Sequence, residues 1–267
     1  MERCRFSIIV VCYNAGDKLA KTVNSVLAQD YESYEIVVQD GCSADGSVEK
    51  LRAAQEGNGK LAIFVEKDNG IYDAMNKALA KVKGQAVHFL NCGDTFPSPD
   101  ILKKAAAFMD KHKNAGICYG NIFNEKTNST VASSPQITPF VCYRNIPCHQ
   151  ACFYEKGLFE KRQYDVSYKV RADYEHFLWC CLQEGVTPAY MDMVIAAYEG
   201  GGFSESRENR KRDKKEHREI TRKYLGRGKC FQYGLVLAVT LAPLRRFLAE
   251  SPVFSKWYNK VKAGVYK

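Results

Sequence analysis

Three apolar runs of strand length each stop in polar residues that favour turns: Ser7-Ile-Ile-Val-Val-Cys-Tyr-Asn14, Glu35-Ile-Val-Val-Gln-Asp40 and Ala86-Val-His-Phe-Leu-Asn91, the last followed by Cys92-Gly-Asp-Thr95. Unbroken apolar runs of this kind belong to strands buried on both faces, as in a parallel sheet covered by helices. The segments between them carry apolar residues at helical spacing. Leu19, Val23, Val26 and Leu27 mark a helix over 18–28, a second runs over 48–55, and Ile71, Met75, Ala78, Leu79 and Val82 mark a third over 71–82. With strands at 6–12, 35–39, 61–66 and 86–90, the alternation and its right-handed crossovers predict an α/β fold with a mainly parallel sheet. Ligands of such sheets sit outside the carboxyl ends of the strands, so the three polar ends predict a nucleotide-type site. Asp40 and Asp94 would stand at its edge. The alternative for Asp40 is a turn that caps the next helix.

The remainder is less regular. A helix is expected over 101–111, strands over 116–123, 151–154 and 193–198, and a polar loop over 124–138. A helix over 172–184 carries Asp173 and Glu175 in its first turn, where the helix dipole favours carboxylates.

Charge narrows the partners. The net charge of +9 predicts an anionic partner, and much of the excess lies beyond Ser206, from Arg207 to Arg246. No aromatic RNA-binding signature, finger spacing or basic-region heptad occurs, which argues against nucleic acid and for bound phosphates or an acidic membrane surface. The apolar run Phe231 to Leu244 is shorter than the roughly 20 residues needed to cross a bilayer. It reads either as a membrane-interface helix or as a helix packed on the core or on a second subunit. Eleven scattered cysteines, and no secretory signal at the start, read as reduced thiols in a cytoplasmic protein that can sit peripherally on the inner membrane face.

Taken with Asp40-Gly-Cys-Ser-Ala-Asp-Gly-Ser47, Glu66-Lys-Asp-Asn-Gly-Ile-Tyr-Asp-Ala-Met-Asn-Lys77, His149-Gln150 and Ala172-Asp-Tyr-Glu175, the strand ends fall in an order that resembles the inverting family-2 glycosyltransferases of GT-A fold. The resemblance covers about residues 5–205 and is strongest to the bacterial branch that builds capsular, exopolysaccharide or O-antigen repeats. It implies a GT-A catalytic domain over 1–205 and a basic helical extension over 206–267. It implies a nucleotide-sugar donor, of UDP type, and a hydroxyl on a glycan or lipid-linked acceptor. Tyr13, Asn14 and Asp40 would line the base and ribose pocket, with Asp68 and Gly70 nearby and Asn76 helping to hold it.

The family's metal motif, usually Asp-x-Asp, reads here Asn91-Cys92-Gly93-Asp94. Asp94 is then the expected ligand of Mg²⁺ or Mn²⁺, with Asn91 as its neutral neighbour, since such cations are held by one or two carboxylates plus substrate phosphates. Asp173 is the expected general base, with Glu175 in reserve. His149 would touch the acceptor or the diphosphate, and Gly200-Gly-Gly-Phe-Ser204 would close over the donor. The carboxylates missing at Asn91 and Gly93 motivate an alternative, a catalytically silent nucleotide-sugar-binding or scaffold protein.

Overall fold

A computed structural model describes residues 4–200, 207–240, 247, 249, 251 and 253–257. Strands β1 (Phe6–Cys12), β2 (Tyr34–Asp40), β3 (Leu61–Val65) and β4 (Ala86–Phe89) pair in parallel in the order β3-β2-β1-β4. Helices α1 (Asp17–Leu27), α2 (Ser47–Ala54) and α3 (Ile71–Leu79) connect them. Successive residues of a strand point to opposite faces, and both faces are buried. Ile8, Val10, Ile36 and Val38 pack with Leu19 and Val23 on one side, while Ile9, Val11 and Val37 pack with Met75 and Ala78 on the other.

The sheet continues as β4-β7-β5-β6, with β8 also on β5. Here β7 (Cys152–Glu155) is antiparallel to both β4 and β5 (Ile117–Asn124), and β6 (Ser129–Val131) forms a hairpin with β5. β8 (Ala189–Tyr198) runs parallel to β5 across register shifts. The sheet is therefore parallel in its first half and mixed in its second. A bridge between Thr95 and Ala197 brings the end of β8 to the loop after β4.

α4 (Ile101–Lys111) follows the sequence expectation. Two short helices were not expected. α5 (Pro139–Arg144) is started by Thr138, whose side chain accepts from Val141 N, with Pro139 at its first position; α6 (Lys156–Lys161) follows β7 directly. α7 (Ala172–Leu182) and α8 (Arg207–Val239) complete the fold. α8 is broken at Gly226 (φ 78°, ψ 161°), a conformation that glycine adopts without penalty. The expected donor-covering loop lies beyond Gly200, outside the described residues.

The first half of α8 is fastened to the shoulder of α7. Glu216 accepts from the backbone N–H groups of Lys169, Val170 and Arg171, each at 2.9 Å, and Asp213 pairs with Arg171 Nε at 2.6 Å. Glu175, wholly buried, accepts from Arg162, Lys223 and Tyr224.

Candidate active site

The ends of β1 and β2 form one edge of the site. Tyr13 is 68% exposed, and Asn14 takes a left-handed backbone (φ 49°) that turns the chain sharply. Asn14 N donates to Ser43 Oγ and Asn14 Oδ1 accepts from Ala44 N, so its side chain ties the two strand-end loops together. Asp40 is buried, and its carboxylate accepts from Ser43 N, Ser43 Oγ and the Cys12 thiol. It anchors the loop from within. Open groups at this edge are the Tyr13 ring and Asp68, which leans over Gly41; a Cβ on Gly41 would collide with Asp68 Oδ2 and lie 3.4 Å from the Tyr13 ring. Asp68 Oδ1 accepts from Gly70 N, and Gly70 (φ 116°) lets the chain enter α3. Asn76 exchanges two hydrogen bonds with the backbone of Tyr164, so it pins a wall.

The loop after β4 holds Asp94, which is 4% exposed. Thr22 of α1 fixes the loop: its hydroxyl donates to Asp94 O at 2.8 Å and accepts from Gly93 N at 2.9 Å. Asp94 Oδ2 accepts from Gln150 Nε2 at 2.8 Å, and Oδ1 from Glu199 N at 3.3 Å. The Cys148 thiol bonds Gln150 Oε1, which turns the amide nitrogen toward Asp94. Burial raises the Asp94 carboxyl above the usual range, against the hydrogen bonds that favour its ionised form. Thr22→Val removes one acceptor and one donor while preserving shape, leaving Gly93 N–H and Asp94 C=O without partners. We expect it to cost about 1–3 kcal/mol in denaturant unfolding.

Asp173 stands at the start of α7. Tyr72 donates to its Oδ1 at 2.7 Å, and His149 Nδ1 lies 3.2 Å from its Oδ2. A carboxylate can only accept, so Nδ1 carries the proton and Nε2 accepts from Asn91 Nδ2 at 3.2 Å. Burial works against the charge on Asp173, but the hydrogen bonds from His149 and Tyr72 outweigh it and hold the carboxyl below the usual range. It remains 19% exposed, opening into a cleft of about 500 Å³. Asn91, His149 and Gln150 line that cleft with Tyr72, Arg144 and Arg171.

Asp94 and Asp173 therefore share one device. His149 and Gln150, adjacent in a 3-10 turn (His149–Ala151), each bind one of the two carboxylates. The sequence did not point to Tyr72, Thr22, Cys148 or Glu216, although Tyr72 lies inside the motif that contains Asn76.

The reserve role of Glu175 is corrected. Two positions apart on a helix, it faces away from Asp173, and Arg162, Lys223 and Tyr224 occupy it outside the cleft. Burial opposes its charge, yet Lys223, Tyr224 and Arg162 hold it ionised.

The residues fit a hard divalent cation. Among the described residues, no lysine or arginine bonds the Asp94 carboxylate, and the buried Asn91 Oδ1 has no hydrogen-bond partner. One carboxylate and one neutral oxygen in the same turn suit a cation whose other ligands are phosphate and water. No cluster of three or more His, Cys, Asp or Glu that could hold a metal without a substrate occurs among the described residues.

The chain matches the profile of Glycosyl transferase family 2 over residues 7–178. It is 32% identical over 202 residues to a PGL/p-HBAD biosynthesis glycosyltransferase of Mycobacterium bovis (strain BCG / Pasteur 1173P2), covering 74% of this chain and 78% of the relative. Staphylococcus aureus TarS 1-349 in complex with UDP-GlcNAc shares the fold with a TM-score of 0.66 at 19% identity, over 83% of this chain and 71% of TarS 1-349. So does the mannosyltransferase PcManGT of Pyrobaculum calidifontis, in complex with GDP-Man and Mn²⁺, with a TM-score of 0.65 at 16% identity over 100% of this chain and 88% of PcManGT. The fold is GT-A, and the chain belongs to glycosyl transferase family 2.

Proposed function

We propose that the chain is an inverting, metal-dependent glycosyltransferase that moves a sugar from a UDP-type donor to a hydroxyl of a glycan or lipid-linked acceptor in cell-surface polysaccharide synthesis. The observation that carries this reading is the His149-Gln150 clasp, which sets a cation-ready carboxylate and an oriented, ionised carboxylate on either side of one turn. The reading is also supported by the UDP-GlcNAc complex of TarS and by the PGL/p-HBAD biosynthesis for which the mycobacterial relative is named.

In this reading Tyr13, Asp68 and Gly70 border the base and ribose, with Asn14, Asp40 and Asn76 shaping their loops. Asp173 takes the proton of the acceptor hydroxyl as its oxygen attacks the anomeric carbon opposite the departing diphosphate. Its own hydrogen bonds from Tyr72 and His149 fix which lone pair faces the cleft. Asp94 and Asn91 would hold Mg²⁺ or Mn²⁺, which when bound neutralises charge developing on the diphosphate. Arg144 and Arg171, which also line the cleft, suit an acceptor that carries phosphate.

Isothermal titration with UDP and GDP, with and without Mn²⁺, tests the donor site. Wild-type protein should bind UDP in a Mn²⁺-dependent manner, and Asp94→Ala should lose that dependence. Absence of binding by either nucleotide removes the basis for the reading. Asn91 and Gly93, where carboxylates are usual, motivate the second reading, a silent nucleotide-sugar binder, which predicts binding without turnover.

A further inference from the structure

After the break at Gly226, α8 changes character. Its first half is fastened by Glu216, Ile220 and the Glu175 cluster, while its second half is held to the body through Tyr233, whose ring meets Phe140 at 5.3 Å and Tyr143 at 5.5 Å on α5. Phe231, Leu235 and Val239, spaced i, i+4, i+8, form one stripe that is 75%, 58% and 74% exposed. Phe247, Val253, Phe254 and Trp257 are also exposed further along the chain. A folded soluble protein rarely leaves so many large apolar side chains uncovered in one stretch unless that surface meets something.

Charge says what it meets. From Ile220 to Ala249 the sequence holds Arg222, Lys223, Arg227, Lys229, Arg245 and Arg246, and neither Asp nor Glu. A one-signed basic segment repels a second copy of itself and is attracted by an anionic lipid surface, into which an apolar stripe can insert. No helix among the described residues is long and apolar enough to cross a membrane. α5, which packs against this half of α8 through Tyr233, also supplies Val141 and Arg144 to the cleft, so the stripe on the outer face of α8 and the cleft are joined through one helix.

We propose that the stripe of α8 beyond Gly226 docks on an anionic lipid bilayer and turns the α5 side of the cleft toward acceptors held in that membrane. The acceptor class rests on the transferase reading above; the docking does not. The test is co-sedimentation of the full chain with vesicles of phosphatidylcholine, with and without phosphatidylglycerol. Wild-type protein should sediment with the anionic vesicles and be released by salt. The variant Phe231→Ser/Leu235→Ser/Val239→Ser should bind them more than about tenfold more weakly, and Arg227→Gln/Lys229→Gln should lose much of the preference for phosphatidylglycerol. UDP titration of each variant should match wild type, which separates loss of docking from loss of the donor site. Hydrogen exchange with vesicles present should slow at α5 and the second half of α8. Wild-type protein that stays in solution with anionic vesicles overturns the docking. So does equal binding by the Ser variant, or a wild-type dimer that the Ser variant dissolves while neither form binds lipid. Protection confined to surfaces away from α5 overturns the orientation.

Discussion

Asp173→Asn should lower sugar transfer by about 10²- to 10⁴-fold, the range for loss of a positioned general base, with UDP affinity unchanged. The amide keeps the size of the carboxylate and still accepts from Tyr72. It also sets an N–H₂ against His149 Nδ1–H, where Asp173 accepts at 3.2 Å, so the imidazole must move its proton to Nε2, opposite the N–H of Asn91. The variant thus loses the proton acceptor and disturbs its support together. Tyr72→Phe isolates the support. The single proton of the Tyr72 hydroxyl is shared between Asp173 Oδ1 at 2.7 Å and Val170 O at 2.8 Å, the charged carboxylate being the stronger acceptor. Its loss should slow turnover by about tenfold or more, as expected for a hydrogen bond to a charged group. It should also shift the acidic limb of the pH–rate profile upward, because a carboxylate with fewer donors protonates at higher pH. Full turnover by Asp173→Asn would place the base elsewhere.

The parts of this protein that were legible in its sequence are those where local pattern and tertiary environment agree. β1 was read at its observed limits because an unbroken apolar run fits only a strand buried on both faces. β6 was missed because its three residues sit in a polar stretch, and their strand character comes from β5 alongside. α5 was missed despite a signal in the sequence, Thr138 followed by Pro139, because a helix of six residues offers too little periodicity to weigh against it. The site divides in the same way. Asp94 and Asp173 were readable as carboxylates at a strand end and a helix start. Their link through His149 and Gln150, and the capping of the Asp173 shoulder by Glu216, are encounters between distant parts of the chain that no local pattern encodes. Glu175 is the opposite case: helical geometry alone sets it on another face from Asp173, and the spacing was there to be used.

Acid should unfold this protein through groups outside the site. His88 is wholly buried between β7 and the loop after β4, its ring tilted against Phe153 and Phe96, with Nδ1 bonded to Cys152 O and His149 as an ionisable neighbour. His176 is wholly buried, stacked 4.4 Å from Phe159 with Nε2 at Arg162 O, and Glu175 and Arg162 lie beside it. Burial pushes His88 down to about 3 and His176 down to about 4. Both are neutral in the folded state at pH 5, whereas an unfolded histidine binds a proton below about 6.5. Between these values the unfolded chain holds more protons, so stability is full above pH 6.5 and is lost as pH falls toward 4. At about 1.4 kcal/mol per pH unit for each group, the two together remove on the order of 5 kcal/mol by pH 4.5. Glu175 adds to this lower down, since its depressed carboxyl gives up stability only as pH falls below the ordinary range for glutamate. Urea unfolding at pH 7 and pH 4.5 measures the sum, and His176→Gln should remove the His176 share of the difference. A midpoint that does not move between the two pH values would mean that these imidazoles charge within the fold, and that their pockets open to water.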